Sequence, residues 1–137
     1  MTRCVADKMR IREGERLFLS KAPRDAVAAI GLLKVAIARQ LKGKFDHIVM
    51  FTRAQTDLDT RFPRLKAHLA PAGKLWVAWP KAGQLGTDLN VKQVIRIGYD
   101  HGLVESVNLR IDDTWTALKF TWPRRGKTYQ NSYGKLR

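Results

Sequence analysis

A single cysteine, Cys4, is the whole thiol content of this 137-residue chain. That excludes an intrachain disulfide framework and any metal site built on cysteine pairs. The three histidines, His47, His68 and His101, are scattered and show none of the short pairings that metal ligation uses. No Ser-His-Asp or Cys-His set suggests itself, so no catalytic residue and no metal ligand is assigned from the sequence. No apolar run approaches the roughly 18–20 residues of a membrane helix, and no signal-peptide pattern opens the chain. The expectation is a bacterial-type cytoplasmic protein with no membrane partner. Acidic residues are the other scarcity: 12 Asp plus Glu stand against 26 Lys plus Arg, a formal net charge of +14. An excess of that size draws polyanions, nucleic acid among them.

What is present is a chain of one domain's length with buried strands alternating with helices. Leu75–Trp79 is apolar on consecutive residues and stops at Pro80, as a strand covered on both faces must be. Leu17-Phe18-Leu19 and Ile48-Val49-Met50-Phe51 read the same way. A short helical turn is expected over Val5–Met9 and a two-turn helix from Asp25 to Ile30, closed by Gly31. Leu58, Phe62, Leu65 and Leu69 form one apolar stripe, a helix capped by Thr56 or Asp57 and kinked or broken at Pro63. Thr87 reads as the N-cap of a helix over Asp88–His101, on which Gly98 permits a close approach to the sheet. Leu32–Leu41 fits helix and strand alike; a short strand at Lys34–Ala38 feeds the next strand more naturally. Val107–Ile111 and Leu118–Trp122 alternate as an antiparallel hairpin about Asp112-Asp113-Thr114.

The order predicts an α/β fold, a Rossmann-like three-layer sandwich whose mostly parallel sheet ends in a C-terminal antiparallel hairpin. It occupies residues 1–122. Residues 123–137 carry five cations and no acid, and read as a basic, disordered tail.

Phe45-Asp46-His47-Ile48-Val49 followed by Leu69-Ala70-Pro71-Ala72-Gly73-Lys74-Leu75 is similar to the fourth and fifth strands of class I methyltransferases. More narrowly, Ala22-Pro23, the Leu75–Lys81 run, Thr87-Asp88-Leu89, Gly102-Leu103-Val104 and Trp115–Phe120 resemble a family of small bacterial domains of unknown function, built like truncated methyltransferases. The resemblance implies a fold and no particular reaction. Two features depart from methyltransferases that bind S-adenosylmethionine. Their first loop is glycine-rich, whereas the loop here is Ser20-Lys21-Ala22-Pro23-Arg24-Asp25. Their second strand ends in an acid for the ribose, whereas Ala38-Arg39-Gln40 has none.

Those departures predict a non-catalytic domain without cofactor, S-adenosylmethionine included, that binds an anionic ligand or partner at the strand ends. Lys21 and Arg24 follow the first strand, Arg53 the middle one and Lys81 the central one, and Trp79 is a candidate stacking wall. Lys119, sharing a hairpin face with Trp115, is a further anion candidate. In the tail, Tyr129 and Tyr133 interleave with Arg124, Arg125 and Lys127, a composition that stacks bases and neutralises phosphates. Two alternatives stand beside the main reading. One is a basic accessory protein associated with nucleic acid, the other an S-adenosylmethionine-dependent methyltransferase with a divergent cofactor loop.

Overall fold

The computed structural model describes residues 4–31, 37–129 and 133–136. In order the chain forms α1 (Val5–Lys8), β1 (Leu17–Ser20), α2 (Arg24–Ile30), β2 (Ile37–Ala38), β3 (Phe45–Phe51), α3 (Gln55–Lys66), β4 (Leu69–Pro80), α4 (Val91–Asp100), β5 (Val104–Arg110) and β6 (Trp115–Thr121). These make one six-stranded sheet in the order β2-β1-β3-β4-β6-β5. The first four strands run parallel; β6 is antiparallel to both β4 and β5.

The consecutive apolar runs have a direct cause: each central strand feeds two cores. Ile48, Met50, Leu75, Val77 and Trp79 face one side with Leu58 and Phe62 of α3 and Val94 of α4. Val49, Phe51, Trp76 and Ala78 face the other with Ala6 and Met9 near α1 and Ala26 and Ile30 of α2. Alternation along a strand sends neighbours to opposite faces, so both must be apolar. Gly98 of α4 packs flat on β6: a Cβ there would fall inside the Phe120 ring.

Several boundaries differ from expectation. The Pro71–Gly73 turn is a bulge inside a longer β4, because Phe45 pairs with Leu69 and His47 with Lys74. Pro71 is tolerated there since a bulge needs no ladder donor. The α3 helix continues through Pro63, and no side chain of its N-cap Ala54 closes its start. Its first amide, Gln55 N–H, donates instead to Asp88 Oδ1 at 2.8 Å, from 33 residues away. The cap of α4 is Asn90, whose Oδ1 accepts from the amides of Lys92 and Gln93. Of the ambiguous Leu32–Leu41 stretch, Ile37–Ala38 is strand and residues 32–36 lie outside the described residues. In the segment read as a disordered tail, Tyr129 and Leu136 pack against the α3–α4 core.

Candidate functional site

Strand order reverses between β1 and β3, since the chain leaves β1 toward β2 and returns on the other side to β3. In an open α/β sheet that is where a crevice opens beyond the carboxyl ends of the strands. A cavity of about 530 Å³ lies there, lined by Lys21 and Pro23 after β1, residues 51–54 at the end of β3, Asp57, Leu85 and Trp115.

Two of the lining residues, Thr52 and Asp57, belong to a hydrogen-bond network joining three elements. Thr52 Oγ1 donates to Asp57 Oδ2 at 2.7 Å, and Arg61 Nη1 reaches the same oxygen at 2.6 Å. Arg61 also donates to the Phe51 carbonyl at 2.9 Å and to Ser20 Oγ at 2.6 Å. Lys21 Nζ stands 3.8 Å from the other Asp57 oxygen. Burial alone would raise the Asp57 pKa. The hydrogen bonds from Thr52 and Arg61, with the charges of Arg61 and Lys21, outweigh it and hold the carboxyl below its usual range,. Asp57 is therefore a fixed anion facing a cation across the cavity wall.

The rim is braced. Thr87 Oγ1 donates to the Arg53 carbonyl at 2.6 Å, while Asp88 holds Gln55 by two bonds. Trp115 meets Phe51 edge-on, with centroids 5.1 Å apart. Two residues of the lining, Lys21 and Leu85, have φ of +54° without being glycine. Left-handed backbone is uncommon for such residues, and strain of this kind collects at functional sites.

Among the sequence candidates, Lys21 and Arg53 come together at this cavity. Arg24 starts α2, is exposed and does not reach the lining. Trp79 is 3% exposed in the α3–α4 core, so it cannot be the stacking wall; the tryptophan on the lining is Trp115, itself 7% exposed in the opposite core. Lys81 Nζ donates to the Asp112 carbonyl at 3.2 Å and steadies the hairpin turn. Lys119 pairs in register with Trp76, well down the sheet. It lines a separate groove with Arg124, Lys127 and Tyr129. Arg125 is exposed, and Tyr133 lies under Lys92 Nζ at 5.5 Å. The sequence reading missed Ser20, Thr52, Asp57 and Arg61 as a set. The i,i+4 spacing of Asp57 and Arg61 was the available signal.

No family model matches the chain, and no curated protein does. Solved structures do. Ribosomal protein L11 methylase from Lactobacillus delbrueckii subsp. bulgaricus aligns over 87% of this chain and 75% of its own, at 12% identity and a TM-score of 0.55. A TehB-like SAM-dependent methyltransferase from Corynebacterium glutamicum aligns over 86% and 85%, at 9% identity and a TM-score of 0.54. Magnesium protoporphyrin IX methyltransferase from Synechocystis PCC 6803, solved with bound SAM, aligns over 85% and 74%, at 8% identity and a TM-score of 0.53. The fold is that of the class I methyltransferases.

Two expectations are corrected by this likeness. The reading of a non-catalytic domain, and the exclusion of S-adenosylmethionine, gave way when structures sharing the fold proved to be methyltransferases, one of them holding that cofactor. The exclusion rested on the first loop without glycine and on the missing acid after the second strand, Ala38-Arg39-Gln40. Lys21 adopts the left-handed conformation itself, and the cavity opens beside it. Among the described residues no helix is long and apolar enough to cross a membrane. No group of three or more His, Cys, Asp and Glu there could hold a metal ion.

Proposed function

We propose that the chain is an S-adenosylmethionine-dependent methyltransferase of a shortened, small-domain kind with a divergent cofactor loop. The observation that carries this reading is the cavity at the strand switch point, with cations and a fixed carboxylate on one wall. Its volume of about 530 Å³ falls within the 300–1,000 Å³ range of small-molecule sites.

The lining suits the amino-acid end of the cofactor. Lys21 and Arg53 would take the α-carboxylate, and Asp57, held ionised, would take the α-ammonium. Leu85 and Trp115 add apolar surface to the lining. The ribose end differs from the family pattern, since Ala38-Arg39-Gln40 brings no carboxylate. When bound, S-adenosylmethionine supplies an electrophilic methyl group to a nucleophile on the acceptor. The chain's own part is positioning and charge. Asp57 is the one acid on the lining and its depressed pKa makes it a weak base, so the acceptor it suits is already nucleophilic.

Calorimetric titration with S-adenosylhomocysteine, paired with thermal melts, tests the reading. One-site binding with a rise in Tm is expected. Lys21→Ala, an exposed change that spares the fold, weakens binding, and Asp57→Asn weakens it about tenfold or more, the size of a charged hydrogen bond. The absence of both heat and a Tm shift at millimolar ligand would overturn it.

A further inference from the structure

Four further cations gather at the opposite end of the sheet. Beyond the bulge in β4, a groove of about 600 Å³ runs between β4 and the end of β6. Lys74, Lys119, Arg124 and Lys127 line it, with the rings of Trp122 and Tyr129. Lys74 stands six positions before Pro80 on β4, and Pro80 pairs with Trp115 of the first cavity, so the groove lies about 20 Å from that cavity at the rise of a strand.

None of these four cations forms an ion pair with a described carboxylate. The groove's one acid, Glu105, accepts the Tyr99 hydroxyl at 3.2 Å. Lys119 is half-buried, and burial, then the nearby charges of Lys74 and Arg10, push its pKa down. Four cations therefore share this groove with one described carboxylate, Glu105, an excess of positive charge that an arriving anion relieves. The aromatic part is fixed in place. The Arg124 amide donates to the Tyr129 hydroxyl at 2.8 Å, Lys127 Nζ sits 5.3 Å from the Tyr129 ring, and Trp122 Nε1 donates to the Ala70 carbonyl at 3.1 Å.

We propose that this groove binds the phosphodiester backbone of single-stranded nucleic acid, with Lys74, Lys119, Arg124 and Lys127 on phosphates and Tyr129 as a base platform. Several cations along an open groove suit a repeating anion, and a ring held beside them suits a base stacked between phosphates. The proposal is independent of the methyltransferase reading, because no groove residue lines the first cavity.

The test is fluorescence polarisation of the full chain with labelled twelve-residue oligo-U and oligo-dT, from low to physiological salt. Binding of either strand is expected, and their ratio tells ribose from deoxyribose. For the pair Lys74→Ala with Lys119→Ala the salt slope should fall by about 1.4, at about 0.7 for each phosphate no longer neutralised. Tyr129→Ala should weaken binding about fivefold or more, and Tyr129→Phe, which keeps the ring, should retain most of it. The pair Lys42→Ala with Lys92→Ala removes the same charge elsewhere and should leave the slope in place. Circular dichroism confirms that each variant is folded. Three results would overturn the proposal: no binding at low salt, equal losses from the control pair, or displacement by inorganic phosphate or polyglutamate at matched charge.

Discussion

Asp57, on α3, is tied through Arg61 to the Phe51 carbonyl of β3 and to Ser20 of β1. A buried histidine sets the pH response. His47 is fully buried on β3, with Nε2 3.1 Å from Glu15 Oε1 and Nδ1 without a hydrogen-bond partner among the described residues. Burial lowers its pKa first; Glu15 and Asp46 oppose that and Lys74 adds to it, and the net direction is below 6.5. The unfolded chain therefore takes up a proton that the native chain refuses. Stability should be at its full value above about pH 6.5, fall as the pH drops toward the native pKa, and then level off. His47→Gln should flatten Tm between pH 7 and 5 relative to the parent. A second loss should begin near pH 4, as Asp57 loses the charge its partners favour,. A parent Tm that stays constant from pH 7 to 5 would contradict the His47 account.

At the scale of elements, α4 and β6 touch through the missing side chain of Gly98, with Phe120 filling its place. Gly98→Ala should destabilise by about 1–3 kcal/mol, the size of overpacking in a tight core, read as a lowered urea midpoint. An unchanged midpoint would show that α4 can lift from the sheet freely. That contact was legible in the sequence, because a glycine on the sheet-facing stripe of a helix has few other uses. The strands were legible for a related reason: β3 and β4 are apolar on successive residues since both their faces are covered. The caps were not. Gln55 is held by Asp88, a bond between residues 33 apart that local spacing cannot reveal. The true cap Asn90 lies three residues beyond Thr87, which instead bonds to the Arg53 carbonyl. Lys21 and Arg53 were found as site residues because strand ends are readable. Trp79 misled because a tryptophan at a strand's end looks exposed until the α3–α4 core is assembled around it.

Across the whole molecule, one sheet separates two differently built ends. At the carboxyl ends of the parallel strands, a braced cavity combines cations with a single fixed carboxylate. At the other end, cations line an open groove whose one acid is already bonded to Tyr99. Net charge alone, +14, could not tell these apart, since it sums both. Amide-resolved NMR during titration with S-adenosylhomocysteine tests the division most directly. The account predicts saturable shifts at Lys21, Arg53, Asp57, Leu85 and Trp115, with Lys74, Lys119 and Lys127 unmoved. Shifts confined to the groove, or none at saturating ligand, would contradict it.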